Sequence, residues 1–76
     1  MLEQELKIEG VVSARTARGG TMFFEVTGPD GPQQCYDGTS AMGPFLIRPG
    51  VRLACMGKWS DAIKGHMEVM RVERLA

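Results

Sequence analysis

Nothing in this chain approaches the run of ~20 apolar residues that a membrane-spanning helix needs. Its opening residues, Leu2-Glu3-Gln4-Glu5, are acidic where a secretory leader would be basic. Together these absences predict a cytoplasmic protein with no membrane partner. An excess of one charge is missing too: nine Lys and Arg balance nine Asp and Glu, which argues against a dedicated duplex binder. Histidine occurs once, and the two cysteines, Cys35 and Cys55, show no CxxC spacing. No metal site and no cofactor is therefore expected, and the thiols are read as free and buried.

Catalytic constellations are also lacking. No Ser/His/Asp or Cys/His arrangement emerges to provide a nucleophile with a base and an orienting group. Asp30 and Asp37 fit a turn and a strand end better than a carboxylate pair. Gly19-Gly20 is a doublet without the lysine and hydroxyl of a phosphate-binding loop. The expectation is a protein that is not an enzyme and has no catalytic residues.

What is present is turn chemistry and alternation. The 76 residues make one domain over 1–76, and 43% apolar content fits a folded core. Ten glycines and four prolines imply short strands joined by many turns. Leu6, Ile8, Val11, Val12 and Ala14 suggest a first strand, with Gly10 marking a bulge. Arg15 to Gly20 reads as a basic connector, and Thr21 to Thr27 as a second strand rich in β-branched and aromatic residues. Gly28-Pro29-Asp30-Gly31 is an explicit turn, and Gln33 to Asp37 pairs back as the third strand. Gly38 to Ile47 forms a long connector with room for a helical turn capped at Thr39 or Ser40. Pro49-Gly50 then opens a fourth strand over Val51 to Met56. Lys58 to Gly65 is the next loop, and His66 to Val72 the fifth strand.

A strand running into glycine, a basic loop, Phe23-Phe24-Glu25-Val26 before Pro29-Asp30-Gly31, then Pro49-Gly50-Val51, Gly57-Lys58 and Met67-Glu68-Val69 with Val72 and Leu75 form a recognisable series. The chain resembles the OB-fold nucleic-acid-binding domains of tRNA-anticodon modules and of small single-stranded-DNA-binding proteins. The resemblance spans residues 6 to 75 and implies an all-β, five-stranded Greek-key OB-fold barrel, with a short helical turn or loop between strands three and four. An SH3-like barrel also strings together five short strands, but the long Gly38–Ile47 connector favours the OB order. Aromatic motifs of the RNP type are absent.

Single-strand binding requires cations along the phosphates and flat side chains for the bases. Alternation turns Met22, Phe24 and Val26 inward and Phe23, Glu25 and Thr27 outward. On the next strand Cys35 faces in while Gln34 and Tyr36 face out. Phe23 beside Tyr36 would form a stacking platform. Trp59 would stand at the mouth of the loop between strands four and five, with Lys58 and Lys64 reaching phosphates. Arg15 and Arg18 would form the opposite wall. His66 reads as an outward surface residue and not as a ligand. The expected partner is single-stranded DNA or RNA. The alternative is a protein-interaction module, a small subunit or homodimer, suggested by zero net charge and six methionines, with Met56 and Met70 exposed.

Overall fold

The computed structural model describes residues 5–38 and 47–75. The alternation read from the sequence appears as five strands: β1 (Leu6–Arg18), β2 (Thr21–Gly28), β3 (Gly31–Asp37), β4 (Arg52–Trp59) and β5 (His66–Arg74). They close into a barrel in the order β1-β2-β3-β5-β4, with β1 pairing back onto β4. All neighbours are antiparallel except β3 and β5, which run parallel. This all-β, five-stranded closed barrel has the strand order expected of an OB-like fold. No helix occurs among the described residues. The helical turn expected after Thr39 or Ser40 falls outside them.

Closure places one face of every strand in a single core. Val12, Phe24, Val26, Cys35, Leu53, Cys55, Met67 and Val69 are all buried there, with Ile47 entering from the connector. The expected inward triplet on β2 holds, with Met22 packed at the core's margin. Cys35 and Cys55 are free and buried. Loss of hydration pushes the Cys35 thiol from 9.0 up to about 12, with Cys55 adding to the effect. Burial raises Cys55 to about 11. Thiolate is the reactive form, so an aromatic disulfide reagent at mildly alkaline pH should label neither thiol until denaturant unfolds the chain. Prompt labelling of the native protein would overturn the buried assignment. The linkage follows the same sign. The folded state holds these protons more tightly, so their stabilisation is full below pH 9 and is lost as pH rises toward 11–12.

Several strand boundaries differ from the sequence expectation, three of them at strand ends that bear on the site. β1 continues through Arg18, so Arg15–Arg18 is strand and not connector. The turn is only Gly19-Gly20, both at positive φ (58° and 82°), as a two-residue hairpin turn of the primed type requires. β4 likewise runs through Gly57 and Lys58 to Trp59, so Trp59 ends a strand instead of sitting in a loop. β5 extends to Arg74.

The β1 bulge also moves. Pairing steps from Val12↔Val26 to Ala14↔Glu25, which makes Ser13 the extra residue. Gly10 serves a different need: a Cβ there would run into the Thr27 backbone. The Ser13 insertion reverses the parity of everything after it, so Ala14 becomes exposed instead of core. A second irregularity follows Gly57↔Val69, where the next pair is Met56↔Arg71 and Met70 is left over. That shift lets both Val69 and Val72 pack toward the core and leaves Met70 45% exposed.

Candidate nucleic-acid interface

The outer face of β2, β3 and β5 carries the candidate site. The Gly28–Gly31 turn sets the β2–β3 register so that Phe23 lies directly opposite Tyr36. Residues directly opposite in a ladder share a face. Their ring centroids are 5.8 Å apart with the planes tilted by 39°. This is the expected platform, and both residues are partly exposed. The parallel β3–β5 ladder adds a third ring. His66 pairs with Gln34, and its imidazole sits edge-on to Phe23 at 6.2 Å and 6.5 Å from Tyr36. Sequence reasoning placed His66 outward but missed this membership. Its parity relative to buried Met67 was legible, whereas the pairing of β5 with β3 was not.

The β4–β5 loop is fastened to the cluster. Ser60 N–H donates to the His66 carbonyl at 2.9 Å, and His66 N–H donates to the Ile63 carbonyl at 3.2 Å. Ser60 Oγ accepts from the Ala62 and Ile63 amides at 3.1 and 2.9 Å, and lies 2.7 Å from Tyr36 Oη. Those two amides occupy both acceptor sites of the hydroxyl, so its own proton goes to Tyr36 Oη. The Tyr36 phenol then keeps its proton for an outside acceptor. His66 Nδ1 lies 3.1 Å from the Lys64 carbonyl, which can only accept. In the neutral ring Nδ1 therefore carries the proton and Nε2 is an acceptor.

Between this loop and the β1–β2 hairpin lies an open groove of about 400 Å³, lined by Thr16, Arg18, Phe23, Ile63 and His66. Arg18 is thereby brought to one wall and the β4–β5 loop to the other. Lys64 is exposed one position beyond Ile63. Lys58 pairs with Glu68, and Glu68 with Tyr36. Lys58 therefore shares the outer face, two strand spacings (about 10 Å) from Tyr36.

Two candidates lie on the core-facing side instead of this outer face. Arg15 lies opposite buried Phe24, on the core-facing side of the sheet, and its guanidinium donates to the Ile47 carbonyl at 2.9 Å. The Ser13 bulge is the reason, since it assigns Arg18 and Thr16 outward and Arg15 inward. Trp59 pairs with fully buried Met67, so it leaves β4 on the core side at the strand's end. It is 56% exposed and makes no ring contact with the cluster.

Charge on the outer face is mixed. Glu25 and Glu68 share it with the aromatic rings, and Lys58 stands opposite Glu68. Met56, expected to be exposed, is buried. It lies between Lys7 and Arg71 in the ladder, where long side chains with aliphatic stems can shield an apolar neighbour. No group of three or more His, Cys, Asp or Glu among the described residues is placed to hold a metal ion. No protein-family model and no curated protein matches the chain.

Proposed function

We propose that the protein binds single-stranded nucleic acid across the outer face of β2, β3 and β5. The observation that carries this reading is the partly exposed Phe23–Tyr36–His66 cluster, of which Phe23 and His66 line a groove walled by Arg18 and the fastened β4–β5 loop. Exposed rings on a rigid sheet suit bases, because each base has a flat face and stacking is worth about 1–3 kcal/mol. The Tyr36 phenol can donate to a base carbonyl or a phosphate. Arg18, Lys58 and Lys64 supply cations at the margins. Carboxylates on the same face limit the electrostatic contribution, so affinity relies on stacking more than on charge.

The test is anisotropy of a labelled single strand at several salt concentrations. Wild type should bind, and its affinity should fall with salt. Arg18→Ala should flatten the logarithmic salt slope by about 0.7, the release expected for one single-strand phosphate contact. Arg15→Ala should leave that slope unchanged, because the Arg15 guanidinium is held on the Ile47 carbonyl. Absence of binding at tens of micromolar in low salt would sink the proposal. Equal slope changes in both variants would remove Arg18 from the phosphate path.

A protein partner or second copy of the chain is the other reading, favoured by Met70. This bulge residue is 45% exposed on β5 beside Gly38, and methionine surfaces adapt to apolar partners. Sedimentation of the free protein distinguishes it, with self-association in the absence of oligonucleotide as the supporting outcome.

A further inference from the structure

Next to the ring cluster is a smaller hollow of about 110 Å³ whose lining includes Phe23, Glu25, Gln34, Ala14, Thr16 and Arg15. It exists because the Ser13 bulge puts Ala14, a short side chain, opposite Glu25. The bulge also aims Ser13 itself, a use to which bulges are commonly put. Ser13 Oγ lies 2.6 Å from Glu25 Oε1 and 2.9 Å from Thr27 Oγ1. Gln34 Nε2 donates to Glu25 Oε2 at 2.7 Å. A carboxylate accepts only, so the chain has one direction: Thr27 donates to Ser13, and Ser13 donates to Glu25.

Glu25 is thus held by one donor on each oxygen, and each oxygen keeps a further acceptor site. Glu25 is in neither the Lys7–Glu9 nor the Arg71–Glu5 ion pair, and Arg15, which also lines the hollow, donates to the Ile47 carbonyl. A fixed acceptor that still has capacity stands about 7 Å along the strand from an aromatic ring. The matching ligand is a flat ring with a donor on its edge. Cytosine presents an N4 amino group there. Uracil presents O4, an acceptor that the carboxylate repels.

We propose that Glu25 reads the exocyclic amino group of a base stacked on Phe23, so that the chain selects cytosine over uracil at this position. The inference rests on the single-strand reading above. Ser13 and Gln34 act as positioning residues for the carboxylate.

The experiment compares labelled oligo(dC) and oligo(dU) of about 12 nucleotides at neutral pH and one salt concentration. The two bases differ at the edge in question and not in size. Wild type should bind oligo(dC) at least about fivefold more tightly. Glu25→Gln, whose amide can donate to O4 as well as accept from N4, should abolish the preference. Ser13→Ala, which keeps the carboxylate but releases one oxygen, should reduce it and serves as the second variant if Glu25→Gln does not fold. Oligo(C) and oligo(U) in the ribo series should show the same ratio. Equal affinity in wild type, or a preference that survives both variants, overturns base reading while leaving single-strand binding intact. Failure to bind any of these strands overturns both.

Discussion

Gly57→Ala should unfold some 12–24 °C below the parent protein, which corresponds to about 3 kcal/mol in a domain of this size. Gly57 is buried in β4 where the ladder irregularity draws β5 close. A Cβ on it would run into the Glu68 carbonyl and stand 3.0 Å from Val69 Cα. Both obstacles are backbone, and no rotamer change can relieve them. The strands would have to separate next to Glu68 and Val69, which lie beside the ring cluster and in the core. Gly65→Ala is the control. Gly65 has a positive φ of 76° but nothing within 4 Å of a Cβ, so its cost is the left-handed backbone alone, about 1–2 kcal/mol. Thermal unfolding followed by circular dichroism distinguishes them. Equal melting points for the two variants would show that β4 and β5 are not as closely apposed as described.

Phe23→Ala should weaken single-strand binding by roughly 5- to 150-fold, the equivalent of one lost stacking partner. Phe23 contacts both other rings of the cluster, Tyr36 at 5.8 Å and His66 at 6.2 Å, and also lines both hollows on the outer face. Its removal therefore deletes the stacking surface and loosens the other two rings. For the same reason the Phe23→Ala and Tyr36→Ala losses should not add, since contacting residues couple. Phe23→Leu preserves much of the apolar cover and removes the π-face. It should retain the parent melting behaviour while losing most of the affinity. Unchanged affinity in Phe23→Leu would mean that the rings only shield the barrel wall.

The two variants probe parts of the molecule that differed in legibility. Phe23 and Tyr36 were readable because strand side chains alternate with a period of two and the Gly28–Gly31 turn fixes the β2–β3 register within a few residues. Gly57 was readable as a landmark but misread as a strand's end. Its role depends on β5, which reaches β4 only after the intervening loop. Of the four cations expected along one groove, only Arg18 is among the residues lining it, and Arg15 lies on the core-facing side of the sheet. A strand and a basic turn of that composition look alike until the pairing partner is known.

The sequence by itself determined the number and order of the strands, the core identity of Phe24, Val26, Cys35 and Cys55, and the outward placement of Phe23 and Tyr36. These follow from local parity and turn chemistry, which act over a few residues. Only the tertiary structure decided that the bulge falls at Ser13 rather than Gly10, which sends Arg18 to the groove and Arg15 to the Ile47 carbonyl. It also decided that His66 joins the rings, that Trp59 leaves on the core side, and that Met56 is buried between Lys7 and Arg71. A bulge changes the parity of every later residue without leaving a compositional mark. The parallel β3–β5 pairing, likewise, arises from barrel closure between segments about 30 residues apart.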